Sequence, residues 1–155
     1  MKDQASTRAG LADTAVQPWR FEIQSALYTA TGIEYSLIRD CRLLGVYLAV
    51  FVRSDLVLSV YRVLHATAAV GVMNTVPNKG GVAIRCQVLE SSFCFVTSHL
   101  AAGAENTLRR NQDYQSILAH IRFEEPGYES ILDHEYVDGS SSARSRSIHQ
   151  LASLV

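Results

Sequence analysis

Residues 82–97 read VAIRCQVLESSFCFVT, and this stretch decides the fold class. Val82 to Val88 alternates, with Arg85 and Gln87 on the side opposite Ile84, Cys86 and Val88. Period two is the signature of a strand whose two faces meet different surroundings. Leu89-Glu90-Ser91-Ser92 can turn, and Phe93-Cys94-Phe95-Val96-Thr97 then runs back as a second strand that ends at Ser98-His99. An antiparallel pair is expected here. Downstream, past the small-residue loop Ala101-Ala102-Gly103-Ala104, Tyr114, Ile117, Leu118 and Ile121 recur at helical spacing. They predict an amphipathic helix over about Thr107 to Arg122, with Tyr114 in its buried stripe.

Upstream, Pro18 suits the first turn of a helix, and Trp19, Ile23 and Leu27 mark one face of it, which Thr31-Gly32 closes. Leu43 to Val52 is almost unbroken in apolar residues and suits a strand buried on both faces. Asp55 to Leu64 is a further candidate strand, Ile131 to Val137 could begin another, and Ile148 to Val155 suggests a short helical end. Met1 to Val16 and the Ser/Arg-rich residues 138–155 lack apolar period and read as a loose start and a divergent tail. Between them, residues 17–137 read as one domain.

Composition bounds what the chain can do. With 155 residues, 48% of them hydrophobic, it has the material for one packed domain. Fourteen Lys and Arg against fifteen Asp and Glu give a net charge of −1, a poor match for a protein that holds duplex nucleic acid through a basic face. No nucleic-acid partner is expected. Three cysteines, Cys41, Cys86 and Cys94, are odd in number and lack CxxC spacing, which argues against a disulfide framework and for a reducing, cytoplasmic setting. The longest apolar run is shorter than the roughly 20 residues that a membrane helix needs.

Three segments hold chemistry-bearing side chains. Asn78-Lys79-Gly80-Gly81 precedes a strand, where an amide and an ammonium could hold phosphate oxygens and the glycines would let backbone approach a ligand. Ser98-His99 closes a strand, a position from which an imidazole can stabilise charge on a phosphoryl oxygen. The two are no nucleophilic dyad, because neighbouring strand residues point to opposite faces. Arg109-Arg110-Asn111 opens a helix whose macrodipole the arginines oppose, so an anion nearby is expected. Taken singly, each segment also reads as an ordinary turn, loop histidine or solvated helix start.

In their order, NKGGVAIR, SHLAAG and RRNQDY closely resemble the inositol polyphosphate 5-phosphatases, nearest to the type II and oculocerebrorenal-syndrome members. The likeness extends from about Trp19 through LLGVYLAVFVR to His134-Glu135-Tyr136-Val137. It implies an α/β fold of the endonuclease/exonuclease/phosphatase type, with packed mixed β-sheets and outer helices. It also implies hydrolysis of the 5-phosphate of phosphoinositides or inositol polyphosphates, with Mg²⁺ as cofactor. His99 would then contact the scissile phosphate. Asn78 and Lys79 would meet headgroup phosphate, and Arg109, Arg110 and Asn111 would line or support the site. A peripheral location at membranes fits such a substrate.

Three departures accompany the resemblance. Pro77 stands where the family has Gly. The family's N-terminal metal-ligand motifs have no counterpart at Gln17-Pro18 or Phe21-Glu22. Asp138-Gly139-Ser140-Ser141 replaces the expected WxGDxNYR, and SDHxPV is absent. The chain therefore resembles a central fragment of the catalytic domain, expected to be inactive by itself. The alternative is a non-catalytic module that binds a phosphoinositide or a protein.

Overall fold

The computed structural model describes residues 17–43, 45–70, 79–126, 130–131 and 147–154. They divide into two compact units, one of the described residues within 17–37 and 51–57, the other of those within 38–50 and 58–154.

In the first unit, helix α1 (Gln17–Thr31) matches the expected helix. It ends as the sequence suggested: Gly32 adopts φ 68° and its N–H bonds back to Tyr28 O at 2.7 Å. Gln24 Nε2 donates to Tyr35 O at 2.8 Å, tying the helix to the chain that follows. Trp19 is 66% exposed, so the inward face is carried by the half-buried Ile23 and Leu27.

The apolar run 43–52 is not one strand. β1 (Tyr35–Leu43) ends where the run begins and β2 (Val46–Arg53) carries the rest, with the chain reversing around Gly45. A connection this short can only join antiparallel neighbours. β2 is mostly half-buried, so the expectation of burial on both faces fails there. The anticipated strand from Asp55 is also corrected. Ser54–Ser59 form a 3-10 helix, and extended structure begins only at β3 (Val60–Val70).

The second unit is organised by a four-stranded sheet in the order β3-β4-β5-β6. β4 (Lys79–Val88) and β5 (Ser91–His99) are the antiparallel pair read from the sequence, with Ile84 opposite Phe95 and Gly80 opposite His99. β6 (Ser147–Leu154) runs parallel to β5 and replaces the helical end expected from Ile148. Of the strand anticipated at Ile131 to Val137, only the buried Ile131 is described, and the rest lies outside the described residues.

Burial on both faces, expected of residues 43–52, belongs instead to β4. Its Val82 and Ile84 pack with Cys41, Val46 and the half-buried Leu43, Leu48 and Val50 of β1 and β2. Its Ala83 lies on the other face, in a core made with Ala66, Ala68, Cys94, Val96 and the helix residues Ile117 and Ile121. Ile117 comes from α2 (Thr107–His120) and Ile121 is the residue that caps its C-terminus; the helix forms as expected but stops short of Arg122, and Tyr114 is exposed rather than buried. Its place toward the sheet is taken by Asp113, which is 2% exposed.

Cys41, Cys86 and Cys94 are all free and buried, Cys86 and Cys94 on paired strands as expected. Burial raises the pKa of Cys86 and, against a smaller lowering by the Arg42 backbone and Arg39, that of Cys41. A raised pKa and poor access both suppress thiolate attack. The native protein should therefore consume Ellman's reagent slowly, with all three thiols reporting rapidly only in denaturant. A fast stoichiometric phase without denaturant would contradict this core.

Candidate phosphate site

Lys79 begins β4 and His99 ends β5, so the antiparallel register brings both to the same end of the sheet. Lys79 Nζ lies 2.8 Å from His99 Nε2. An ammonium has no lone pair, so it donates and Nε2 accepts. An ammonium and an imidazole thus meet at one solvent-open point, on strands held by a continuous ladder of backbone bonds. A phosphoryl oxygen arriving there can take the lysine's N–H, and a proton on Nε2 would turn the imidazole into a second donor. Asn78 lies outside the described residues.

The glycines beside Lys79 serve packing. A Cβ on Gly81 would stand 2.8 Å from Ile117 Cγ2 of α2, and one on Gly80 would stand 2.6 Å from Leu43 Cδ2 while striking the Ala68 carbonyl oxygen. The close approaches they permit are by helix and strand, on opposite faces of β4. The sequence had suggested that they make room for a ligand's approach.

Arg109 and Arg110 sit in the first turn of α2, and the anion expected near them is found within the chain. Arg109 Nε is 3.0 Å from Asp113 Oδ1, one helical turn on. Asp113 Oδ2 accepts the Ala101 N–H at 3.0 Å. Arg110 Nη1 donates to the carbonyls of Gly103 and, at 3.4 Å, Ala101, and its Nη2 donates to Thr107 Oγ1 at 3.0 Å. Both guanidinium groups thus hold the SHLAAG loop against the helix start. Asn111 is exposed on the same helix. Sequence reasoning missed Asp113, although its spacing of four from Arg109 was a legible signal for an ion pair.

A second cation–imidazole pair joins β1 to β3, where Arg39 Nη2 is 2.8 Å from His65 Nδ1. Burial and then the Arg39 charge hold the His65 pKa below its ordinary value, with Glu124 opposing. Both effects favour the neutral ring that accepts the bond.

Magnesium, which the sequence resemblance implies, does not fit the described residues. Among them no three His, Cys, Asp or Glu side chains gather closely enough to hold a metal ion. The buried carboxylate nearest the loop, Asp113, commits one oxygen to Ala101 and the other to Arg109.

Comparison with known proteins agrees with this architecture. A family model described as endonuclease/exonuclease/phosphatase family 2 matches residues 2–141. The mouse type II inositol 1,4,5-trisphosphate 5-phosphatase is 40% identical over 90 residues, covering 58% of this chain and 9% of that protein. Rat synaptojanin-2 is 36% identical over 119 residues, covering 77% of this chain and 8% of its own length. Among solved structures, the inositol polyphosphate 5-phosphatase domain of SPsynaptojanin, in complex with inositol (1,4)-bisphosphate and calcium ion, superposes with a TM-score of 0.65 at 30% identity. That match covers 76% of this chain and 34% of the solved one. The chain thus spans about a third of that domain and under a tenth of those two curated relatives.

Proposed function

The chain belongs to endonuclease/exonuclease/phosphatase family 2, and on that premise we propose that it is the phosphate-gripping part of an enzyme that hydrolyses the 5-phosphate of phosphoinositides or inositol polyphosphates. The observation that carries this reading is the 2.8 Å approach of Lys79 to His99 at the open end of β4 and β5. The similarity to inositol polyphosphate 5-phosphatases supports the substrate class. The net charge of −1 supports a small anionic headgroup over duplex nucleic acid.

His99 faces the phosphoryl group to be released, and Lys79 shares that group's charge. An ammonium and an imidazole this close suit oxygens of a single phosphoryl group. Arg109 and Arg110 support the site by fixing the loop that follows His99, and by resemblance Asn78 and Asn111 would also serve headgroup phosphate. Phosphoryl transfer depends on such positioning and charge neutralisation more than on covalent chemistry by the protein. Magnesium is the metal of the complete reaction in this proposal. The described residues provide no cluster to hold it, so the 155-residue polypeptide is expected to bind substrate without turning it over. A substrate in lipid headgroups would place the protein peripherally at cytoplasmic membrane surfaces.

The test is a phosphate-release assay with inositol 1,4,5-trisphosphate and Mg²⁺, run beside a binding titration. Saturable binding with no release above background is the expected result. Robust release that disappears in His99→Ala would refute the binding-only claim while upholding the substrate class. No saturable binding would remove the substrate reading.

A further inference from the structure

His99 is the last residue of β5, and residues 100–102, the start of the loop beyond it, have no regular structure. A side chain at a strand end is only as well placed as the loop that follows it. The bond nearest His99 among those that hold the loop to α2 through a backbone N–H goes to one buried carboxylate. Asp113 is 2% exposed, on the sheet-facing side of α2. A carboxylate so deep is strongly disfavoured unless its oxygens are paired, and both are. Oδ2 accepts from Ala101 N–H, two residues beyond His99, and Oδ1 meets Arg109 Nε. Around this centre, Arg110 holds the Ala101 and Gly103 carbonyls, and Asn106 Nδ2 donates to Ala102 O at 2.7 Å.

We infer that Asp113 is a positioning residue for His99: through the Ala101 amide it fixes where the loop leaves β5, and so holds the imidazole within reach of Lys79 and of a bound phosphoryl group. This rests on the reading that Lys79 and His99 grip phosphate, and it adds a residue that never touches the ligand. It also gives the RRNQDY segment a role in which the arginines and the aspartate form one latch. Asparagine offers one acceptor oxygen where the carboxylate offers two, so its N–H2 is set against either the Ala101 N–H or Arg109 Nε, and the latch loses one bond to a donor–donor contact. His99 then samples positions from which the Lys79 contact is lost.

The experiment uses the full 155-residue chain with Asp113→Asn, and Ile121→Val as a core control on the same side of the helix but remote from the loop. Two quantities are read at a temperature where circular dichroism shows each variant folded. The first is the through-space NMR contact between the Lys79 methylenes and the His99 ring. The second is the affinity for inositol 1,4,5-trisphosphate, which carries the 5-phosphate that His99 is proposed to hold. Asp113→Asn should lose the contact and about tenfold in affinity, the scale of one charge-assisted hydrogen bond. Ile121→Val should keep both. Because Asp113 acts through His99, adding Asp113→Asn to His99→Ala should weaken binding no further.

Retention of the Lys79–His99 contact in Asp113→Asn, or affinity losses that multiply in the double variant, overturns the inference. If the wild-type chain binds no inositol 1,4,5-trisphosphate, the phosphate reading falls, and the NMR contact decides the role of Asp113 alone. Should Asp113→Asn fail to fold, Arg109→Gln keeps the buried carboxylate and removes its charged partner. It should give a weaker form of the same loss, about threefold in affinity, and an unchanged affinity and contact would overturn the inference.

Discussion

Gly80→Ala is expected to destabilise the protein by about 3 kcal/mol, at the upper end for overpacking a core, and to lower Tm by about 10 °C. The added methyl would strike the Ala68 carbonyl oxygen of the neighbouring strand and stand 2.6 Å from Leu43 Cδ2 and 3.2 Å from Ala69 Cα. A leucine tip can rotate aside. A backbone carbonyl engaged in a β-ladder cannot, so β3 and β4 must separate where Ala69 pairs with Gly80. Gly45→Ala is the control, because nothing lies within 4 Å of a Cβ there. Thermal melts of the two variants should differ clearly. Equal Tm values would mean that β3 and β4 are not as close as described.

Phe123→Ala is expected to cost about 4 kcal/mol, in the range for deleting a buried aromatic. Phe123 is 2% exposed and heads the fully buried side chains by size. It lies just past the end of α2 and packs in the core with Ile117, Ile121, Val96 and Ile131. The last turn before it is fastened by Arg122 Nη1, which donates to Leu118 O at 3.1 Å and Ile121 O at 2.9 Å. The loss would therefore loosen the helix that carries Asp113 as well as the sheet beneath it. Urea unfolding should show a midpoint shifted down at nearly constant slope. A midpoint within experimental scatter of wild type would place Phe123 outside the core.

How far the sequence disclosed this structure depends on how local each signal was. The β4–β5 hairpin was legible because its alternation and its turn lie within twenty residues, and α1 and α2 because each carries its own period and stop. β1 was missed because Arg39, Asp40 and Arg42 interrupt any apolar pattern in YSLIRDCRL, and its pairing with β2 supplies the order that propensity does not. The turn at Gly45 was hidden by apolar residues on both sides, so two strand segments read as one. β6 was misread as helix because SIHQLASL favours neither state strongly, and its partner β5 lies some fifty residues upstream. Tertiary pairing overrode local preference there.

For the candidate site, the sequence pointed to Lys79 and His99, and the register explains their meeting: Gly80 stands opposite His99, with Lys79 one residue beyond. The arginines were noticed because they oppose the helix dipole, but what they answer to is a buried aspartate on their own helix and the carbonyls of the loop. Spacing alone could suggest that ion pair. It could not show that the carboxylate's other oxygen binds the Ala101 amide, because that contact exists only once the loop has folded back onto α2.

The most direct measurement is a double-mutant cycle on inositol 1,4,5-trisphosphate binding, by calorimetry without added metal, with Lys79→Met, His99→Ala and the pair combined. Each single change should weaken binding at least tenfold, as expected for loss of a charge-assisted hydrogen bond. The double variant should lose less than the product of the two, because both side chains address one phosphoryl group. Wild-type affinity in both single variants would contradict the claim that this lysine and this histidine hold phosphate between them.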